Sequence, residues 1–378
     1  VSIRRDVHRH PELGFQEQRT AQLVAERLAA LGITVRTGIG KTGVVGDLGA
    51  GGPRIALRAD MDALPIQEEN EVPYASEVPG VMHACGHDTH VACLLGAAQL
   101  LAEEAAAGRL PGQVRFLFQP AEEAMDEEGL SGGMRMADEG VMDGVDAVVG
   151  LHVWSEMPVG RIEVREGPAT AAVDSFHLVV KGDEAHGAYP HQGIDAVALS
   201  AQVINALQTV VSRRLDPTRG RVITVGTIQG GTKENIIAGE VVMTGTIRTF
   251  EPETRETLFA ELERACGVAR ALGGDFELTI TPGYIAIVND PEMTALVRQV
   301  GMDLLGEENV GESVLEMGAE DFSYFAREAP GCFFTLGGAV AGDARIHHHP
   351  RFDVDEGCLP VGAALLAETA VRFLKDGA

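Results

Sequence analysis

Nine residues, Met82-His83-Ala84-Cys85-Gly86-His87-Asp88-Thr89-His90, hold three histidines, a cysteine and an aspartate. Thiolate and imidazole are ligands that transition metals favour, and carboxylates orient metal-bound imidazoles. A cysteine alone is commonly a small buried hydrophobe. Here its neighbours argue for ligation, because Gly86 lets the backbone turn and so lets Cys85 and His87 point at one centre from a loop.

Further groups of the same chemistry follow three separate apolar runs. Asp60 and Asp62 follow Arg54-Ile55-Ala56-Leu57-Arg58, Glu122 and Glu123 follow Gln113-Val114-Arg115-Phe116-Leu117-Phe118, and His152 follows Asp146-Ala147-Val148-Val149-Gly150-Leu151. Ordinary strand ends expose mixed polar residues, whereas these are all metal ligands or acid–base groups. In open α/β sheets, ligands bind outside the carboxyl ends of the strands, which predicts a shared site. Adjacent Glu122 and Glu123 would face opposite ways in a regular strand, so a joint role requires the chain to turn after Pro120. Far downstream stands Ile346-His347-His348-His349-Pro350, read as extended backbone with one of its three histidines facing the site.

The elements that must hold these groups are legible as patterns. A surface helix is predicted over 15–31, with Val24, Leu28 and Leu31 at helical spacing and Gly32 as its stop. Val44–Leu48 and Arg54–Arg58 flank a glycine-rich turn and read as neighbouring strands. The apolar run 91–102 reads as a buried helix, and the run ending at Leu151 as a short strand buried on both faces and terminating at His152. After Gly167-Pro168 the pattern becomes strand, helix (194–213), two alternating strands, helix (253–272) and strand (276–280). That β-α-β-β-α-β order is ferredoxin-like, and it marks 171–282 as an inserted domain. Residues 1–170 and 283–378 then form one discontinuous α/β domain, a mixed sheet flanked by helices and closed by a C-terminal helix over 359–374.

Composition narrows the class. The 378 residues are enough for two domains, and 45% of them are hydrophobic. Thirty basic against fifty-six acidic residues leave a formal charge of -26, which disfavours nucleic acid and anionic membrane surfaces as partners. The run 91–102 is too short to span a bilayer, which needs roughly 20 apolar residues. Five scattered cysteines and no visible signal peptide favour a reducing, cytoplasmic compartment.

Taken together, these segments resemble the aminoacylase and carboxypeptidase G family of metallopeptidases, in its branch of hippurate hydrolases and auxin-conjugate amidohydrolases. The resemblance runs nearly end to end. It is carried by His8-Arg9-His10-Pro11-Glu12-Leu13-Gly14-Phe15, Leu57 to Pro65, His83 to His90, Pro120-Ala121-Glu122-Glu123, Gly150-Leu151-His152 and Gly318-Ala319-Glu320-Asp321-Phe322.

The resemblance implies a zinc-peptidase-like catalytic domain with an inserted lid or dimerisation domain. It implies two divalent ions per subunit held by Cys85, His87, Glu123, His152 and His348, with Glu122 as general base and Asp60 and Asp62 as orienting groups. His348 is selected among the three histidines by its spacing to Pro350. The donor set suits zinc, cobalt, nickel or manganese. His186, in Ala185-His186-Gly187-Ala188-Tyr189-Pro190-His191, matches a histidine that reaches the active site of a partner subunit, and Asn235 and Arg248 match the pair that binds the substrate carboxylate. The implied reaction is hydrolysis of the amide of an N-acyl or N-aroyl amino acid by a homodimer. An aminopeptidase or dipeptidase on the same scaffold is the alternative, and a structural metal-binding protein is disfavoured because it has no use for a spare carboxylate such as Glu122.

Overall fold

A computed structural model describes residues 1–343 and 345–376. The chain forms two compact units, one of Val1–Ala169, Val288–Val314 and Asp321–Ala378, the other of Thr170–Ile287 and Leu315–Glu320. The first unit opens with helices α1 (Ser2–Arg9) and α2 (Gln18–Ala30), the hairpin β1 (Thr34–Ile39) and β2 (Gly43–Gly49), and then β3 (Arg54–Asp60). It continues through α3 (His87–Ala106), β4 (Gln113–Gln119), α4 (Gly132–Asp138), β5 (Ala147–Pro158), β6 (Ile162–Glu163) and β7 (Gly167–Thr170). The second unit holds β8 (Ala172–Lys181), β9 (Ala185–His186), α5 (Ala196–Arg213), β10 (Arg221–Gly230), β11 (Ile236–Ile237), β12 (Glu240–Thr249), α6 (Pro252–Cys266), α7 (Val268–Ala271) and β13 (Asp275–Pro282). The return comprises β14 (Ile287–Asn289), α8 (Pro291–Leu305), β15 (Val310–Gly311), α9 (Ser323–Ala326), β16 (Gly331–Ala339) and α10 (Cys358–Asp376).

Among the described residues the first unit has an eight-stranded mixed sheet in the order β1-β2-β4-β3-β5-β16-β6-β15. The central strands β4, β3, β5 and β16 run parallel and read as near-continuous apolar runs because both faces are covered. Phe116, Phe118, Leu57, Val149 and Leu151 from these strands share one core with Leu94 of α3 and Leu366 of α10. Burying each such side chain stabilises the fold by roughly 1.5–3 kcal/mol.

Two expectations about this sheet are corrected. The strands at 44–48 and 54–58 are not neighbours, since β4 lies between them, antiparallel to β2 and parallel to β3. The helical crossover α3 brings β4 alongside β3, and β2 takes its other partner from β1, a strand the sequence pattern did not announce. The link from β2 to β3 passes tightly over the start of β4, where a Cβ on Gly49 would stand 2.3 Å from the Gly112 carbonyl oxygen. Nor does β5 stop at His152; it runs on beside β16 to Pro158. Its pairing with β3 ends at Gly150, so His152 still emerges where the cover of β3 stops.

The second unit is a four-stranded antiparallel sheet, β10-β12-β8-β13, with β8 and β12 central, which is the ferredoxin-like arrangement. Alternate residues Phe176, Leu178 and Val180 of β8 pack with Leu199, Val203 and Leu207 of α5 and Leu258 and Leu262 of α6. Asp195 caps α5 by accepting from Val197 N and Ala198 N. The helix predicted over 253–272 is broken at Gly267 into α6 and α7. Among the described residues no helix is long and apolar enough to cross a membrane.

Candidate metal centre

The site grows from the turn before α3. Gly86 lies at φ +92°, and a Cβ there would stand 2.4 Å from Val153 Cγ1, so this turn admits only glycine. It places His87 as the first residue of α3, fully buried. His87 Nδ1 donates to the Asp62 carbonyl oxygen at 2.9 Å and to Asp62 Oδ1 at 3.0 Å. With one proton fixed there, Nε2 is left buried and without a hydrogen-bond partner among the described residues. An orphaned buried nitrogen of this kind is costly unless it has something to bind, and a metal ion is what it fits.

The second oxygen of Asp62 accepts from Glu123 N at 2.9 Å. The chain turns as the paired glutamates require, through Ala121 at φ +42°, a conformation rare for a residue with a Cβ. Glu122 and Glu123 are thereby directed away from regular strand geometry, with Glu122 buried. Glu123 Oε1 stands 3.0 Å from His348 Nε2, an ion-pair contact outside hydrogen-bond alignment. Two ligand atoms that close and not aimed at each other suit a shared centre.

His152 repeats the logic of His87. Its Nδ1 donates to the Val153 carbonyl oxygen at 2.7 Å, leaving Nε2 to face Cys85 Sγ at 3.4 Å. Behind it, His90 donates from Nδ1 to Asp60 Oδ1 at 2.6 Å and accepts on Nε2 from Val153 N at 2.9 Å. Both nitrogens of His90 are therefore engaged, and its ring lies edge-on to that of His152, the centroids 4.7 Å apart. Asp60 is held in turn by Arg58 Nη1 at 2.6 Å. Sequence reasoning set His90 aside, although its i,i+3 spacing from His87 on one helix face was the signal that could have found it.

The three consecutive histidines do not lie in extended backbone but in a turn, which is a correction. His348 has φ +58° and is tied by its N–H to the Ala84 carbonyl oxygen at 2.8 Å. The turn lets two of the three approach the site. His347 Nδ1 lies 3.9 Å from Cys85 Sγ, but its Nε2 accepts from Ser155 N at 3.3 Å and its ring packs on Trp154 and Phe352. His349 accepts from Arg351 N at 3.1 Å and is exposed. The remaining members of the opening segment serve elsewhere: Asp88 bonds His8 and Arg4, and His83 is buried beside them.

Among the donor groups that result are Cys85–His87–His152, Cys85–Glu123–His348 and His87–Glu122–Glu123, each with its ligand atoms within 4.8 Å of one another. Burial and the Glu123 carboxylate push the Cys85 thiol up, against the nearby His348 and His87 imidazoles, which favour the thiolate. Close contacts with Cys85 and Glu123 push His348 up to about 10. Burial, with His90 and His347 adding repulsion, holds His152 well below its usual value, a neutral imidazole ready to ligate.

The second unit carries the other predicted residues. His186 is exposed on the two-stranded ribbon of β9 and β11, where Ile236 pairs with it and Gly187 N donates to the Asn235 carbonyl oxygen at 2.8 Å. The ribbon thus sets Asn235 beside the His186 turn. Arg248, on β12, is half-buried, and its Nη1 has no hydrogen-bond partner among the described residues. Burial lowers its pKa, against the attraction of Asp174.

A mixed α/β sheet with thiolate, imidazole and carboxylate donors gathered at its strand ends, beside a further buried glutamate, defines a metallohydrolase. The chain belongs to Peptidase family M20/M25/M40, whose family model matches residues 56–372. It is 40% identical over 380 residues to the N-acetyl-L-cysteine deacetylase of Bacillus subtilis, covering 99% of this chain and 88% of that one. It is 39% identical over 387 residues to IAA-amino acid hydrolase ILR1-like 2 of Arabidopsis thaliana, covering 100% and 86%. Among solved structures it superposes on the Bacillus subtilis YXEP protein, described as a dinuclear metal binding peptidase of the M20 family, with a TM-score of 0.86 and 36% identity over 99% of this chain and 97% of that one.

Proposed function

We propose that this enzyme hydrolyses the amide bond of N-acyl or N-aroyl amino acids, using two divalent ions held by Cys85, His87, Glu123, His152 and His348. The observation that carries the reading is Glu122, a buried acid within 4.8 Å of His87 and Glu123 yet outside both groups that share Cys85. A purely structural site has no use for such a residue. When bound, the ions lower the pKa of water and polarise the scissile carbonyl.

Glu122 accepts the proton of the attacking water and delivers it to the departing amine. Asp62 keeps the His87 lone pair aimed at the centre and anchors Glu123 through its N–H. Asp60 acts through His90, which steadies the backbone next to His152. His186 donates to the charge that develops on the carbonyl oxygen, and it does so in a homodimer. Asn235 and Arg248 hold the free carboxylate of the amino acid, the guanidinium of Arg248, whose Nη1 has no hydrogen-bond partner among the described residues, being suited to a bidentate grip. The five cysteines are all free and buried, which fits a reducing cytoplasmic compartment.

Zinc, manganese, cobalt and nickel are separated by restoring each to metal-free protein and following amine release with ninhydrin from hippurate, N-acetylmethionine and a dipeptide. Preference for the two acylated substrates is the expected result. Preference for the dipeptide establishes the peptidase alternative, which the description of the Bacillus subtilis structure favours. Glu122→Gln, with metal retained, is expected to lower kcat by about 10²–10⁴-fold. Full turnover in that variant removes the base assignment.

A further inference from the structure

Glu17 has no part in the mechanism above, yet it is fully buried. Its carboxylate accepts from Ala121 N at 2.8 Å and from Thr42 Oγ1 at 2.5 Å. Ala121 is the left-handed residue immediately before Glu122 and Glu123. An alanine takes that conformation only where its surroundings over-determine it. A second contact comes from the same segment: a Cβ on Gly14 would stand 3.0 Å from both Ala121 Cβ and Ala124 Cβ, so the loop lies directly against the turn. A third lies on the other side, where the Glu12 carbonyl oxygen accepts from Ala63 N at 2.8 Å, next to Asp62, and Leu13 bridges to Ala63. One short stretch, Glu12–Glu17, therefore braces both the turn that presents Asp62 and the turn that presents Glu122 and Glu123.

We propose that Glu17 is a positioning residue for the reaction: its carboxylate, seated by Thr42, holds the Ala121 turn in the conformation that directs Glu122 at the substrate water and Glu123 at the metal. This rests on the reading of Glu122 as base. Glu17 touches neither substrate nor ion, and it acts through one backbone N–H. The geometry separates this role from ordinary core packing, because the conformational demand sits on a single alanine. A glycine at 121 adopts positive φ without steric cost and lessens the need for the brace.

The test is a set of variants in the full-length protein, assayed on N-acetylmethionine with metal restored and titrated with Co²⁺ from the metal-free state. Glu17→Ala is expected to lower kcat on the order of 10²-fold, the cost of a misplacement near 1 Å, with KM little changed. Its Co²⁺ affinity is expected to fall about tenfold, and its thiolate-to-cobalt absorption to shift. Glu17→Gln keeps an acceptor for Ala121 N, and Ala121→Gly in the Glu17→Ala background removes the strain, so each is expected to recover much of the lost kcat. Wild-type kcat and Co²⁺ affinity in Glu17→Ala overturn the proposal, as does a loss of kcat that neither rescue relieves. Gly14→Ala, whose added Cβ would meet Ala121 Cβ and Ala124 Cβ at 3.0 Å, covers the case in which Glu17→Ala does not fold: reduced kcat is expected, and unchanged kcat counts against the brace. Glu122→Gln run alongside separates the two claims, since an active Glu122→Gln defeats the base assignment, whereas an inactive one beside a fully active Glu17→Ala defeats only this inference.

Discussion

Replacing Asp62 by asparagine tests whether the proposed centre fixes the orientation of His87 and Glu123 through one carboxylate. Asp62 is buried, its Oδ1 accepting from His87 Nδ1 at 3.0 Å and its Oδ2 from Glu123 N at 2.9 Å. Asparagine is nearly the same shape but offers one acceptor and one donor. If the amide oxygen faces Glu123 N, the new N–H₂ meets His87 Nδ1 and drives the imidazole proton onto Nε2, the atom meant to ligate. If the oxygen faces His87, the Glu123 N–H loses its partner, and a buried unsatisfied donor costs about 1–3 kcal/mol. Loss of an orienting partner typically weakens metal binding by about 10–100-fold. Both routes converge on roughly 1.4–3 kcal/mol of metal affinity, since 1.4 kcal/mol corresponds to about tenfold. Calorimetric titration of metal-free Asp62→Asn with Zn²⁺ or Mn²⁺ reads this directly, and saturating metal is expected to restore part of the turnover. Asparagine protein that binds metal as tightly as wild type would refute the reasoning, because it would mean that the Asp62 carbonyl oxygen alone holds the His87 proton on Nδ1 and the carboxylate adds nothing.

Other consequences are open to simple measurement. Arg248→Ala is expected to raise KM for N-acyl amino acids by about 10–100-fold, as loss of a charged hydrogen bond worth roughly 1.5–3 kcal/mol implies, and to leave the corresponding esters nearly unaffected; equal effects on both would remove Arg248 from carboxylate binding. Gly86→Ala meets both the φ of +92° and the Val153 side chain at 2.4 Å, so a drop in thermal midpoint together with lost metal binding is expected, and an unperturbed protein would contradict the described turn. Burial, with Asp62 adding repulsion, pushes the Glu17 carboxyl up to about 7 from 4.5. The folded state then holds that proton where the unfolded chain has lost it, so this group's contribution to stability is full below about pH 4.5 and falls as pH rises towards 7. At about 1.4 kcal/mol per unit, the loss is roughly 3 kcal/mol. Denaturant titrations of wild type and Glu17→Gln are expected to show the same dependence on pH outside this window and to diverge within it, wild type alone losing stability as pH rises; parallel curves throughout would refute the assignment.

The chemistry of the site was legible in the chain because ligand types are few and strand ends collect them: Cys85, His87, Glu122, Glu123 and His152 stand out by type and by the runs they follow. What escaped were features set by tertiary partners. His152 lies within β5 because β16, made from residues nearly two hundred positions later in sequence, extends beside it. β2 and β3 are separated because a crossover helix delivers β4 between them. The His347–His349 turn depends on a bond from His348 N to Ala84, which no local pattern encodes. Glu17 reads locally as an ordinary acid at a helix start, and its tie to Ala121 spans the whole first half of the sheet.

The place of β16 in the sheet also governs how the protein can be made. Residues 1–169 leave the ribosome long before residues 331–339, yet β16 is an interior strand, seated between β5 and β6. Until it arrives, β5 presents an open edge whose residues Val148, Val149 and Leu151 are buried in the finished fold. An apolar strand with unpaired N–H and C=O groups is a template for pairing with another chain. Throughout synthesis of the ferredoxin-like insert, the β5 edge that β16 will cover has no partner strand from this chain, so the order of synthesis sets a period in which that apolar edge is open to pairing with another chain.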